Sequence, residues 1–306
     1  MGVGLTMLLA VGLDRLLGEP RRAHPLAGFG RLAAWVEGLA YGPATAGRWS
    51  RRLRGLLALA ALLAPLVLLA TATRWLEWGW LLDAVILYLA IGHRSLAEHG
   101  RGVRRALEAN DLAAARQRVG WMVSRDTAAM QPPDVAKAAV ESVLENGNDA
   151  VFGALFWFAV AGAPGAVAYR LANTLDAMWG YRNARFFHFG WAAARLDDAL
   201  NYVPARLTAL SYALVGRIGP ALACWRAQAP AWESPNAGPV MAAGAGALGL
   251  ALGGGASYGG QWHERPALGA GRAATAADIG RAIDLVRRGV WLWLAVALFA
   301  EGLAHA

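Results

Sequence analysis

The sequence predicts an all-α, polytopic integral membrane protein with short re-entrant or interfacial helices and a cytoplasmic helical region. Three observations predict it. Apolar residues make up 57% of the 306 residues and charged residues only 16%, against roughly 45–50% and about 25% in soluble domains. Leu56–Thr73 is an apolar run broken only by Pro65; at 1.5 Å per residue it covers about 27 Å, enough for a thin bilayer. Finally, the arginines gather in the segments that flank the apolar runs, as topology-determining charges do.

Along the chain, the apolar run Val3–Leu13 ends in Asp14-Arg15 without a small-residue cleavage site, so no secretory signal is expected. Leu56–Thr73 and Gly79–Gly92 read as a transmembrane hairpin, with Trp75, Trp78 and Trp80 as interfacial anchors. The loops on either side carry Arg21, Arg22, Arg31, Arg48, Arg51, Arg52 and Arg54, and Arg94, Arg101, Arg104, Arg105, Arg116, Arg118, Arg125 and Lys137. Two spans lie between them, so both loops fall on one side, which the positive-inside rule makes cytoplasmic. Residues 93–149 form a cytoplasmic helical insertion in a single membrane-embedded domain, 1–306. Asp111 caps one helix, and Pro132-Pro133-Asp134 opens the next, Asp134–Asn146.

Val151–Ala161 is too short to cross, about 17 Å against a hydrocarbon core of about 30 Å. Gly162-Ala163-Pro164-Gly165 stops it and a second helix begins. Residues 150–180 therefore read as a helical hairpin that dips in and returns, within an active-site core at 150–206. Leu207–Gly216 and Val240–Leu252 are apolar and rich in small residues, suited to close helix packing. Gly253–Gly260 reads as a glycine-rich loop, and Gly289–Leu303 as a final Trp-anchored helix. An even number of crossings, zero or two, falls between 201 and 253.

Composition also excludes. A net charge of +8 raises nucleic acid, but no basic strip carries stacking aromatics. The single cysteine, Cys224, rules out an internal disulfide and any Cys-based zinc site. No GxxxxGK[ST] loop is present, which removes P-loop NTPases.

Candidate chemistry lies between 141 and 206. Acids beside apolar helices are costly unless paired, solvated or bound to a cation. Glu141, Glu145 and Asp149 recur at four-residue spacing and line one face if the helix continues that far; a solvated acidic face is the other reading. Asn146 adjoins them. Asn173 and Asp176 sit one turn apart, and so do Asp197, Asp198 and Asn201. Arg195 and Arg206 bracket the aspartate pair, which fits either a cation site or a salt-bridged knot. His24-Pro25 reads first as a turn. Ser234–Pro239 is a rigid turn that, with Gly253-Gly254-Gly255, offers backbone N–H groups to an anion.

Taken together, these segments resemble the adenosylcobinamide-phosphate synthase (CobD/CbiB) family of cobalamin biosynthesis. The matching stretches are LDRLLGEP at 13–20 with His24-Pro25, ESVLENGNDAV at 141–151, and AYRLANTLDAMWGYRN at 168–183. ARLDDALNYVPARLTAL at 194–210, SPNAGPVMAA at 234–243 and LGGGASYGG at 252–260 complete the series. Gly147 and Ala177 depart from it, since members often carry Ser or Thr at the first position and Ser at the second.

The resemblance implies an inner-membrane, multi-pass enzyme with its active site facing the cytoplasm. It would join adenosylcobyric acid to (R)-1-amino-2-propanol, or its O-phosphate, with ATP and Mg²⁺. Its expected partners are the corrinoid, the aminopropanol, membrane lipids and other enzymes of the pathway. On this reading Glu145, Asp149, Asp197 and Asp198 hold Mg²⁺–ATP; Asn146, Asn173, Asp176 and Asn201 complete the polar shell or orient the amine; and Arg195, Arg206, His24 and Asn236 bind phosphate or substrate carboxylate. An intramembrane Mg²⁺-dependent prenyltransferase and a corrinoid or cation transporter are the alternatives.

Overall fold

The computed structural model describes residues 2–20, 24–43 and 45–305; Arg21 and Arg22, counted above, lie outside them. The chain is 76% helical. In order run α1 (Val3–Leu17), α2 (Pro25–Ala40), α3 (Arg48–Thr71), α4 (Gly79–Ala90), α5 (His93–Glu108), α6 (Leu112–Gly120) and α7 (Pro132–Gly147). A π-helical turn, Asn148–Phe152, leads to α8 (Gly153–Ala161), α9 (Ala163–Trp179), α10 (Phe186–Phe189), α11 (Trp191–Val215), α12 (Ile218–Gln228) and α13 (Ala237–Leu248). Five short strands follow: β1 (Leu250–Gly253), β2 (Ala256–Tyr258), β3 (Gln261–His263), β4 (Ala267–Gly269) and β5 (Arg272–Ala273). The chain closes with α14 (Ala276–His305).

The chain divides into two compact units. The first comprises Met1–Gly92, Gly153–Asn201 and Ala297–Ala306. Its core joins α2, α3, α9 and α10 through Phe29, Leu59, Leu62, Leu175, Trp179 and Phe189. The Trp179 and Phe189 rings meet edge to face at 5.1 Å, a geometry the ring quadrupoles favour. Gly55 lets this happen: a Cβ there would fall 1.9 Å from the Phe189 carbonyl. The hairpin expected at 150–180 is present as α8 packed on α9, and it turns at Gly162, whose φ of +70° suits glycine. At the far end of the sequence, the Glu301 carboxylate accepts the Gly4 N–H at 2.7 Å and the Leu5 N–H at 3.2 Å. It thereby satisfies donors that the first turn of α1 leaves open.

Two helical stretches are long and apolar enough to cross a membrane: Arg48–Trp75, and Gly79–Glu108, which takes α4 and α5 together. Only 28% and 39% of their apolar windows are buried. A core helix of a soluble protein would be mostly buried. Here Leu53, Leu57, Leu68, Leu69 and Trp75 of the first, and Leu82 and Val85 of the second, face outward instead, as lipid-facing side chains do.

The second unit comprises His93–Phe152 and Tyr202–Val296. Its central element is α13, all twelve residues of which are buried. Gly244 admits the Leu144 side chain, and Gly246 admits the Pro220 carbonyl. Here the expectation for Val240–Leu252 needs correction. The helix stops at Leu248, Gly249 takes the left-handed conformation (φ 69°), and 250–253 form a strand. Twelve residues span about 18 Å, so this small-residue segment is a core helix within the unit. The glycine-rich stretch is likewise folded: β1 pairs antiparallel with β4 and parallel with β5, and β2 pairs with β3. Asp111 caps α6 by accepting the Ala114 N–H, and Asp134 accepts the Gln131 N–H at the start of α7, as expected.

Candidate active site

In the first unit, α9 presents Tyr169, Asn173 and Asp176 at helical spacing, and α11 presents Asp197, Asp198 and Asn201. Asp197 Oδ1 accepts two carboxamide N–H groups, from Asn173 at 3.1 Å and Asn201 at 3.0 Å. The Asn201 carbonyl oxygen in turn accepts the Tyr169 hydroxyl at 2.9 Å, which fixes the amide so that its NH₂ faces the carboxylate. Tyr169 and Asn201 are buried, so this relay is shielded from water. Tyr169 is the residue that sequence reasoning missed. The signal was its position, four residues before Asn173 on one helical face, and Gly153 makes room for its ring.

Asp176 leans on Gly180, where a Cβ would lie 2.0 Å from Oδ1. Burial, and then the neighbouring Asp197 and Asp198, push its carboxyl up to about 7. Burial also lifts Asp197 to about 6; the Asn173 and Asn201 hydrogen bonds oppose the rise, and Asp198 adds to it. Asp198 is raised by burial against the pull of Arg195 and Arg182. Three carboxyls thus crowd one another at a cost that a proton or a cation relieves.

The second unit holds Glu141, Glu145, Asn146 and Asp149. The single acidic face expected for 141–149 does not form. Glu141 is buried and tied down: it accepts Arg125 Nη2 at 2.6 Å, Arg265 Nη2 at 3.2 Å and the Gly253 N–H at 2.7 Å. Glu145 is half-buried. Its carboxyl is raised by burial and then by Glu141, with Arg125 and Arg265 opposing. The α-helical register that would stack Asp149 above Glu145 ends at Gly147, where the π turn begins; such turns are frequent at functional sites. The Asn148 N–H turns back to the Glu145 carbonyl, and the Leu144 carbonyl takes the Tyr212 hydroxyl at 2.9 Å. Gly147 is the room for that hydroxyl, since a Cβ would sit 2.2 Å from it. Asp149 Oδ1 accepts the Asn148 amide at 2.8 Å, and Asn148 Oδ1 accepts the Thr208 hydroxyl at 3.0 Å. Asn146 donates back to the Ser142 carbonyl and hydroxyl.

The remaining candidates are placed as follows. Arg195 is exposed and acts on Asp198. Arg206 donates to Asn236 Oδ1 at 3.0 Å and to the Pro235 carbonyl at 3.1 Å, with its guanidinium 3.6 Å from the Tyr202 ring centre. Asn236 is buried. His24 caps α2, its Nδ1 accepting the Leu26 N–H, and its Nε2 lies 3.7 Å from Glu19. In the anion cradle expected from Ser234–Pro239 with Gly253-Gly254-Gly255, the Gly253 N–H goes to Glu141 and the Gly254 N–H to the Pro266 carbonyl; further along, Gly259 and Gly260 donate to Asp126.

No three His, Cys, Asp or Glu side chains among the described residues converge as a ready-made metal cage. Mg²⁺ that keeps its waters and binds phosphate needs only one or two carboxylates, and crowded, raised acids such as Asp176, Asp197 and Asp198 suit such an ion.

The class defined here is a mainly helical protein with two outward-facing apolar helices and an amide-braced acidic site. The family model described as CobD/Cbib protein matches residues 7–286, and the chain belongs to the CobD/CbiB family. It is 61% identical to the cobalamin biosynthesis protein CobD of Chromobacterium violaceum over 100% of both chains. It is 60% identical to that of Stutzerimonas stutzeri over 98% of both. With that of Mycobacterium tuberculosis it shares 40% identity over 92% of this chain and 90% of the relative. No solved structure matches the chain.

Proposed function

We propose that this chain is a cobalamin-biosynthesis enzyme that joins adenosylcobyric acid to (R)-1-amino-2-propanol, as the O-phosphate, through an amide bond driven by ATP. The observation that carries the reading is the family match across residues 7–286, which includes both sets of acids. ATP with Mg²⁺ supplies phosphoryl activation of the acid, a step that depends on positioning and charge neutralisation rather than covalent help from the protein.

The chain's own groups suit the remaining tasks. In the first unit Asp197 and Asp198 would hold a cation, and in the second unit Glu145 and Asp149 offer carboxylates for one. Asn173 and Asn201 keep Asp197 oriented, and the Asn148–Thr208 pair does the same for Asp149. Asp176, with a carboxyl near 7, matches a group that receives the ammonium proton before the amine attacks. Two apolar helices and the arginine distribution support a membrane-embedded protein with its basic loops on the cytoplasmic side; a multi-pass inner-membrane site that meets lipid and other enzymes of the pathway is part of the same proposal.

The test is mass spectrometry of purified protein incubated with adenosylcobyric acid, ATP, Mg²⁺ and either the free or the phosphorylated amine. Product mass with one amine supports the reading; corrinoid unchanged with both, in protein shown to be folded, defeats it.

A further inference from the structure

A pocket of ≈ 370 Å³ opens in the second unit where α11, α12 and the turn before α13 meet, and its lining includes Arg206, Trp225, Arg226, Trp232, Glu233 and Pro235. That volume is within the range of small-molecule sites. Its chemistry is two guanidiniums and two indoles against a single carboxylate.

Arg206 is held in place before any ligand arrives. Its Nη1 donates to the Tyr202 carbonyl and to Asn236, and its Nη2 to the Pro235 carbonyl. A guanidinium has five N–H donors, so the Nε–H and one Nη2 N–H remain without a partner among the described residues. Arg226 has no ion pair or hydrogen bond among the described residues and is exposed. On the indole wall, Trp232 is positioned as well. Trp232 carries the Arg265 guanidinium 5.2 Å from its ring centre, and Arg265 is itself anchored on buried Glu141 and on the Gly254 carbonyl. Gly238 lets α13 start against this turn, because a Cβ there would meet Trp232 and the Ala229 carbonyl at 2.8 Å.

We infer that this pocket binds a phosphate ester, with the phosphate held by Arg206 and Arg226 and the organic body laid against Trp225 and Trp232. Paired guanidiniums match phosphate oxygens bidentately, and the indoles give the body an apolar, stacking surface. A nucleoside triphosphate and an O-phosphorylated amino alcohol share this chemistry. The choice of these two ligands rests on the amide-forming reading; the anion-and-indole character of the pocket does not.

The experiment is equilibrium dialysis of the full chain in detergent with labelled ATP, labelled aminopropanol phosphate, inorganic phosphate and adenosine. Arg226→Gln is the primary variant because Arg226 is exposed and unbonded, and Trp232→Leu is the second. The expected result is that one phosphate ester binds about tenfold or more weakly to Arg226→Gln, the loss of one charge-assisted contact. The same ester should also lose affinity in Trp232→Leu, and the ester affected identifies the source. Unchanged binding of both esters by both variants overturns the proposal, as does inorganic phosphate binding as tightly as the esters, or an equal loss for uncharged adenosine in Arg226→Gln. Product formation is followed in parallel. If wild type binds an ester through Arg226 but yields no amide, the amide-forming reading falls and the pocket stands. If amide forms and Arg226→Gln binds as wild type does, the pocket falls and the reaction stands.

Discussion

Buried acids in this chain are treated in two opposite ways. Glu141 and Asp278, both in the second unit, are almost wholly out of water and fully matched: Glu141 by Arg125 and Arg265, Asp278 by Arg272, Arg281 and Thr275. In the first unit Asp197 is met only by the Asn173 and Asn201 carboxamides, Asp176 lies against the like charges of Asp197 and Asp198, and each is raised. A charge met by guanidiniums is finished as structure; one met only by amide N–H groups still asks for a cation or a proton. The difference separates matched acids from unmatched ones more sharply than sequence spacing does.

The largest effect should come from the acids assigned to the cation under the proposed reaction. On that proposal Asp198→Asn and Asp149→Asn should each cut amide formation by about a hundredfold or more while melting curves stay near wild type. Near-normal turnover in both would end the assignment. Glu141→Ala should do the reverse, since it leaves buried arginine unpaired: about 3–5 kcal/mol of stability lost, read by denaturant unfolding in detergent. A destabilisation no larger than that of an exposed pair would break the comparison.

Acidity sharpens it further. Asp176 and Asp197 have ordinary carboxyls when unfolded and are pushed up to about 7 and about 6 when folded. The folded chain therefore holds more protons between about pH 4 and 7, so their contribution is complete below about pH 4 and is lost as pH rises through 6 and 7. Asp278 runs the other way. Burial would raise it, but hydrogen bonds from Arg272, Arg281 and Thr275 hold it low, so its contribution is present above about pH 4 and is lost in stronger acid. In metal-free buffer Asp176→Asn should flatten the decline between about pH 5 and 7, and Asp278→Asn should not. Added Mg²⁺ should slow the wild-type decline by favouring the deprotonated acids. The smallest change is Tyr169→Phe, which removes the hydroxyl that orients Asn201; about tenfold in turnover is expected, with kcat falling more than KM.

Much of this was readable from the chain. Capping at Asp111 and Pro132, the 150–180 hairpin and the acids at 176, 197 and 198 follow from local rules of spacing and turn chemistry. What escaped was set by distant partners. Strands at 250–273 exist because β1 finds β4 and β5, and glycines without side-chain pattern carry no period to announce pairing. Nothing in 141–149 distinguishes Glu141 from Glu145 until Arg125, Arg265 and Gly253 come to it. Tyr169 and Thr208 look like ordinary helical residues until their hydroxyls are seen to hold Asn201 and Asn148.

The bond from Gly4 to Glu301 joins residues 297 positions apart. During translation the opening helix leaves the ribosome long before its anion partner is made. For most of that time its first amides must be served by water or by a chaperone. Its final seating is therefore a late event, so a stop codon ahead of position 301 should impair α1 rather than its nearest neighbours.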